Sequence, residues 1–195
     1  MEIGNGKLKV MNETGFICYL VLVPHRDARL PIRAWGDSLF AAGMPGGSFP
    51  WVAPLALLKR PLADNELKLL ARPLRQRISN EGGKAYNPLP AAHSSSLIPH
   101  SSFPRSLHGI SLNIELSDDF FAPVAGAVSC RISPLMLGAA VSCEPPPNLP
   151  DPPQISFRAA ALANMRFRFM PLHGNGEGFF SEWEIGPLRW LPKTV

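Results

Sequence analysis

Ser48-Phe49-Pro50-Trp51-Val52-Ala53-Pro54-Leu55-Ala56-Leu57-Leu58 is the stretch on which the fold reading turns. Met44-Pro45-Gly46-Gly47 in front of it is a turn, and Arg60-Pro61 ends it. A short apolar run between such signals predicts a strand from Ser48 to Leu58. Pro50 and Pro54 lack the N–H that a central strand needs, which predicts an edge position or an irregular pairing. Asp64 follows as the expected N-cap of a helix whose apolar stripe is Leu67, Leu70, Ala71, Leu74 and Ile78. Pro73 lies inside that stripe and predicts a kink or an early end.

Upstream, Phe16 to Val23 is β-branched and aromatic and is apolar on both faces, the pattern of a buried strand. A helix is expected next, capped by Asp27 and running to about Ala42, with Ile32, Trp35, Leu39 and Ala42 on one face. Pro31 suits only its first turn, and Gly43 closes it. The chain therefore begins strand, helix, strand, helix.

Downstream, Gly82 to Arg105 is rich in Gly, Pro, Ser and His and reads as a long connection, with one extended piece around Lys84 to Tyr86. His108, Ile110, Leu112, Ile114 and Leu116 alternate with polar neighbours, predicting a half-buried strand from Leu107. Ser117 and Asp118 are expected to cap a helix through about Cys130, with Phe121, Val124 and Val128 facing inward. Ile132 to Val141 is a second short apolar strand, and Glu144 to Pro153 a polyproline-like connector. Ile155 to Met170, a turn from His173 to Gly178, and Phe179 to Trp190 form a closing hairpin.

Composition sets the outer bounds. In 195 residues, 46% are hydrophobic, enough for a packed interior, while only 17% are charged. The 22 prolines imply rigid connections and few exposed helix faces. The formal net charge of +4 is compatible with an anionic ligand without requiring one. Cys18, Cys130 and Cys143 form no CxxC pair and no disulfide framework, which favours a reducing compartment. Met1 to Lys9 lacks the long apolar core of a signal peptide, and no apolar run reaches membrane-helix length. The expectation is a cytoplasmic protein without cofactor, metal or membrane partner. No P-loop, GxGxxG, nucleophile elbow or HExxH pattern is present.

This order of elements resembles the two-histidine phosphoesterase superfamily, which includes the 2′–5′ RNA ligase-like proteins and cyclic nucleotide phosphodiesterases. The resemblance covers roughly Phe16 to Pro192. It implies an α+β fold of two related lobes, about 15–90 and 105–195, in a single domain. Each lobe would be an antiparallel sheet with helices on its outer face, flanking a central cleft, with the hairpin free to cross between lobes. Each lobe of the family supplies one His-x-Thr or His-x-Ser motif from a central strand. By neighbouring residues, the first motif falls on Ala53 and Leu55, and the second, at Pro134-Leu135-Met136-Leu137, on Leu135 and Leu137. General acid–base chemistry needs a titratable group, and alanine and leucine have none. The resemblance therefore implies a phosphoesterase-like protein without catalysis, binding a nucleotide, an RNA, another anionic ligand or a protein partner.

An active phosphodiesterase or RNA ligase would need relocated histidines, drawn from His25, His93, His100 and His108, and a purely structural α+β domain would fill the central cleft with Leu55, Leu135 and Leu137. His25 lies at the first strand-to-helix corner, where it is either a helix cap or a phosphate contact. Arg166 and Arg168, with Arg158 in phase, share one strand face and suit bidentate anion contacts. Glu182 and Glu184 on the returning strand would neutralise them in a suitable register. Trp35 and Trp51 read as packing residues and Cys18 as an inert buried thiol. The histidine spacings match no common metal pattern.

Overall fold

The computed structural model describes residues 16–42, 51–80, 90–94, 106–112, 114–132, 135–142, 150–151, 153, 160–171 and 179–191. In chain order these form β1 (Ile17–Pro24), α1 (Arg26–Ala41), β2 (Ala53–Leu58), α2 (Asp64–Asn80), β3 (Pro90–Ser94) and β4 (Ser106–Ser111). There follow α3 (Asp118–Phe121, continued by a 3-10 turn, Ala122–Val124), β5 (Val128–Arg131), β6 (Met136–Ser142), β7 (Ala160–Pro171), β8 (Phe179–Ile185) and β9 (Arg189–Trp190). The fold is α+β, and every strand pair among the described residues is antiparallel.

The larger sheet runs β5-β2-β1-β7-β8, with β9 also paired to β7. β1 lies at its middle because both of its faces are apolar. Cys18, Leu20 and Leu22 join a cluster with Ile32, Trp35 and Leu39 of α1 and Leu67, Leu70 and Leu74 of α2. Ile17, Tyr19, Val21 and Val23 join a second cluster with Leu57, Ala163, Met165 and Phe167 on the opposite face. The smaller sheet, β3-β4-β6, joins the larger one where β6 lies against α1 and β2. The sheets do not divide the chain at residues 90–105, since β1 pairs with β7 and β2 with β5. The hairpin of β7 and β8 thus sits in the sheet of β1 and β2.

The helices depart from expectation at their ends. His25, not Asp27, is the N-cap of α1, and Asp27 lies in the first turn. This early start moves Pro31 beyond the first turn, where it forgoes one backbone hydrogen bond. Ala28, Ile32, Trp35 and Leu39 are buried while Ala42 is exposed. In α2 the backbone cap is Ala63, whose carbonyl accepts from Leu67 N–H at 3.0 Å. Glu66 completes the corner, accepting from Ala63 N–H at 2.8 Å and from Arg60 through two 2.7 Å bonds. α2 then runs through Pro73 to Asn80. A proline inside a helix costs about 3 kcal/mol, whereas burying Leu74 and Ile78 beyond it returns about 1.5–3 kcal/mol each. The helix continues because its apolar stripe outweighs the missing bond.

Other boundaries also move. β2 starts at Ala53, with Trp51 and Val52 outside it, and is internal, so of the two expectations for its prolines the irregular pairing is the one observed. Pro54 is tolerated because it sits at a bulge and beyond the β5 ladder, which covers only Ala56 to Leu58. Within the long connection Pro90–Ser94 form β3, paired with β4, and the extended piece expected at 84–86 lies outside the described residues. β4 stops at Ser111 and does not reach Leu116. The helix expected through Cys130 ends after α3 and its 3-10 turn, and Val128 pairs with Leu58 instead. Pro123 and Gly126 break the helical run, and β-branched Val128 then completes a sheet edge. β6 begins at Met136, since Ile132 still bonds to β2. The returning strand is divided into β8 and β9 around Gly186, whose N–H donates to Asn164 O at 2.8 Å. Gly43, the Met44–Gly47 turn, the 143–149 connector and the 172–178 turn lie outside the described residues.

Asn164 fastens the corner between β2 and α2. Its side-chain amide donates to Leu62 O and accepts from Leu62 N–H, each at 2.8 Å. Trp51 packs as expected, with its ring on Gly36. A Cβ added there would meet the end of the ring at 2.1 Å, so any larger residue requires the indole to shift.

Candidate functional site

The positions that the resemblance gives to catalysis are core positions. Ala53, opposite Leu22, is 0% exposed. Leu55 is the extra residue of the bulge, between the pairs Leu20–Ala56 and Val21–Pro54. Its side chain is 0% exposed, and its carbonyl accepts from Ile132 N–H at 3.1 Å. Leu135 is 3% exposed and accepts at its carbonyl from Leu112 N–H at 2.8 Å. Leu137, paired with Ile110, is 0% exposed. All four belong to one apolar cluster together with buried side chains of α1 and α2. Nothing at these positions can take or give a proton, and their burial excludes water from them.

Arg166 and Arg168 are placed by the β7–β8 register, which sets Arg166 opposite Glu184 and Arg168 opposite Glu182. Arg168 Nε donates to Glu182 at 2.7 Å, and Arg166 lies 3.6 Å from Glu184. Both guanidiniums also stack over the Phe16 ring, at 4.7 and 4.5 Å from its centroid. Opposite charges facing each other across strands account for these arginines without an anion. Arg158 lies outside the described residues.

His25 serves its own helix. Its Nδ1 accepts from Asp27 N–H at 3.4 Å and lies 3.2 Å from an Asp27 carboxylate oxygen, to which a protonated ring would donate. Trp190 meets the imidazole edge to face at 5.9 Å. His25 and the arginine pair are not brought together by any contact among the described residues. His93 and His108 lie in the smaller sheet, where Ala92 pairs with His108 and His93 with Leu107. His100 is outside the described residues, and no group of metal-ligating side chains forms among those described. Cys18 is buried, and burial pushes its thiol up to about 11, which keeps it neutral and unreactive despite nearby Arg166. No helix among the described residues is long and apolar enough to cross a membrane.

A pocket of about 460 Å³ lies beside the second pair of positions, with Leu135 in its wall. Arg77 of α2 and Arg131 of β5 converge on the segment before α3 that lines it. Arg77 donates to Glu115 O at 3.2 Å and to Ser117 Oγ at 3.3 Å. Arg131 donates to Leu116 O at 3.1 Å and pairs through Nε with Asp118 at 2.8 Å. Sequence reasoning misses this group. Arg77 and Arg131 stand far apart in the chain, and a helix through Cys130 hides the strand that aims Arg131. Only the basic residue ending the α2 stripe, one position before Ile78, hinted at a partner across the helix end.

Comparison of the chain with protein-family models, with curated proteins and with solved structures finds no match.

Proposed function

We propose that the chain is a non-catalytic protein of the two-histidine phosphoesterase type, two related lobes around a central cleft, that binds a ligand or partner. The observation that carries the non-catalytic part of this reading is the burial of Ala53, Leu55, Leu135 and Leu137 in one apolar cluster, which also directs any binding away from these four positions. A site that transfers protons keeps titratable groups within hydrogen-bond reach of substrate, each giving about 10²–10⁴ in rate. Here the four positions contribute packing, and His25 contributes a helix cap.

Incubating the full chain with 2′,3′-cyclic nucleotides and with short RNAs ending in a cyclic phosphate tests the reading. The expected result is hydrolysis and ligation no faster than in buffer. Turnover that disappears in a His25→Ala variant would overturn it and establish an enzyme with a relocated base.

A further inference from the structure

The pocket beside Leu135 has a polar rim and an apolar floor. Arg77, Arg131 and Ser117 form the rim, and the buried side chains of Ile114, Ile132 and Leu135 form the floor. Its volume of about 460 Å³ lies within the range of small-ligand sites, roughly 300–1,000 Å³. A guanidinium carries more N–H groups than the two contacts that each arginine makes here. The remaining donors sit on a planar fork whose geometry matches a carboxylate.

Charge selects among anions. The two guanidiniums are accompanied by Asp118, paired to Arg131, and by the exposed Glu115 in the pocket wall. The group is close to neutral, so a doubly charged phosphate gains little from it and is repelled by both carboxylates. A singly charged carboxylate gains directional hydrogen bonds at a smaller electrostatic cost. The space beside Ile114, Ile132 and Leu135, which are 3–8% exposed, offers van der Waals contact to an apolar body.

We infer that this pocket binds a small amphipathic monocarboxylate, its carboxylate on Arg77, Arg131 and the Ser117 hydroxyl and its apolar body on the floor. The inference is independent of the phosphoesterase reading, since it uses none of the hydrolytic chemistry.

Titration of the ¹⁵N-labelled full chain with hexanoate or benzoate at low salt tests it. Saturable shifts are expected at the Leu116, Ser117 and Arg131 amides, with a Kd of about 1 mM. Arg77→Gln should weaken binding about tenfold by removing one charged fork. Arg131→Lys, checked for native circular dichroism, should weaken it as well, because an ammonium keeps the charge and loses the fork. Hexanol and inorganic phosphate should give no saturable shift at these amides. The inference is overturned if neither carboxylate saturates, if hexanol or phosphate binds as tightly, or if Arg77→Gln binds with unchanged affinity.

Discussion

Two segments of the chain occupy equivalent places in the proposed two-lobed plan, and the molecule treats them differently. Ala53 and Leu55 lie in an internal strand, with β1 on one side, β5 on the other and the helices across the face. Leu135 lies just before β6 and Leu137 at its start, and Leu135 also lines a pocket. The first segment is sealed on every side. The second is one side chain away from polar groups. A leucine in the core therefore has two settings in this molecule, a closed interior and an interior beside a pocket.

Placing a histidine in each segment should expose that difference. Leu55→His places an imidazole at a site with no exposed surface and only apolar neighbours, and should cost about 3–4 kcal/mol in urea denaturation. Leu135→His should cost less, about 1–2 kcal/mol, because the Ser117 hydroxyl and the carbonyls of Glu115 and Leu116 line the adjoining space. Equal losses would erase the contrast between the two segments.

A smaller effect should follow from opening the pocket wall. Arg131→Met removes the contacts to Leu116 O and Asp118 and should cost about 1 kcal/mol. The control, Arg166→Met, breaks an exposed cross-strand pair at 3.6 Å and should cost less than about 0.5 kcal/mol. A larger loss from Arg166→Met would mean that the β7–β8 ladder, and not the pocket segment, carries the important arginines.

The smallest effect concerns the corner after β2. The Arg60 fork, then the Ala63 N–H, hold the Glu66 carboxyl down at about 2. A carboxylate with a lowered folded pKa stabilises above its unfolded value, near 4.3, and the contribution fades as pH falls toward about 2. The stability difference between the native chain and Glu66→Gln should be constant from pH 7 to about 5, shrink below about 4 and close only at about pH 2 and under. A difference that persists at low pH would assign the Glu66 contribution to shape and not to charge.

Much of this was legible in the residues. Both apolar faces of Phe16 to Val23 announce the central strand, and the Leu67, Leu70, Leu74, Ile78 stripe survives its proline because burial dominates. The alternation of Arg166 and Arg168 with Phe167, set against Glu182 and Glu184 around Trp183, contains its own register. Helix boundaries were less legible, because the caps are His25 and Ala63, residues with low capping preference beside an eligible aspartate. The pocket was illegible. Its two arginines meet only after α2 and β5 are placed, and Phe121, Val124 and Val128 carry a helical period that the sheet overrides.

β1 has a consequence for how the protein is made. Its neighbours are β2, which follows within one helix, and β7, which follows about 140 residues behind it and raises the contact order. During synthesis the hydrogen-bonding edge of Ile17 to Pro24 that awaits β7 stays bare while most of the chain is still being added, and the Asn164 clasp on Leu62 arrives with the same late strand. A nascent chain interrupted before Ala160 presents an open, wholly apolar strand edge, which makes it a substrate for chaperones and a template for aggregation.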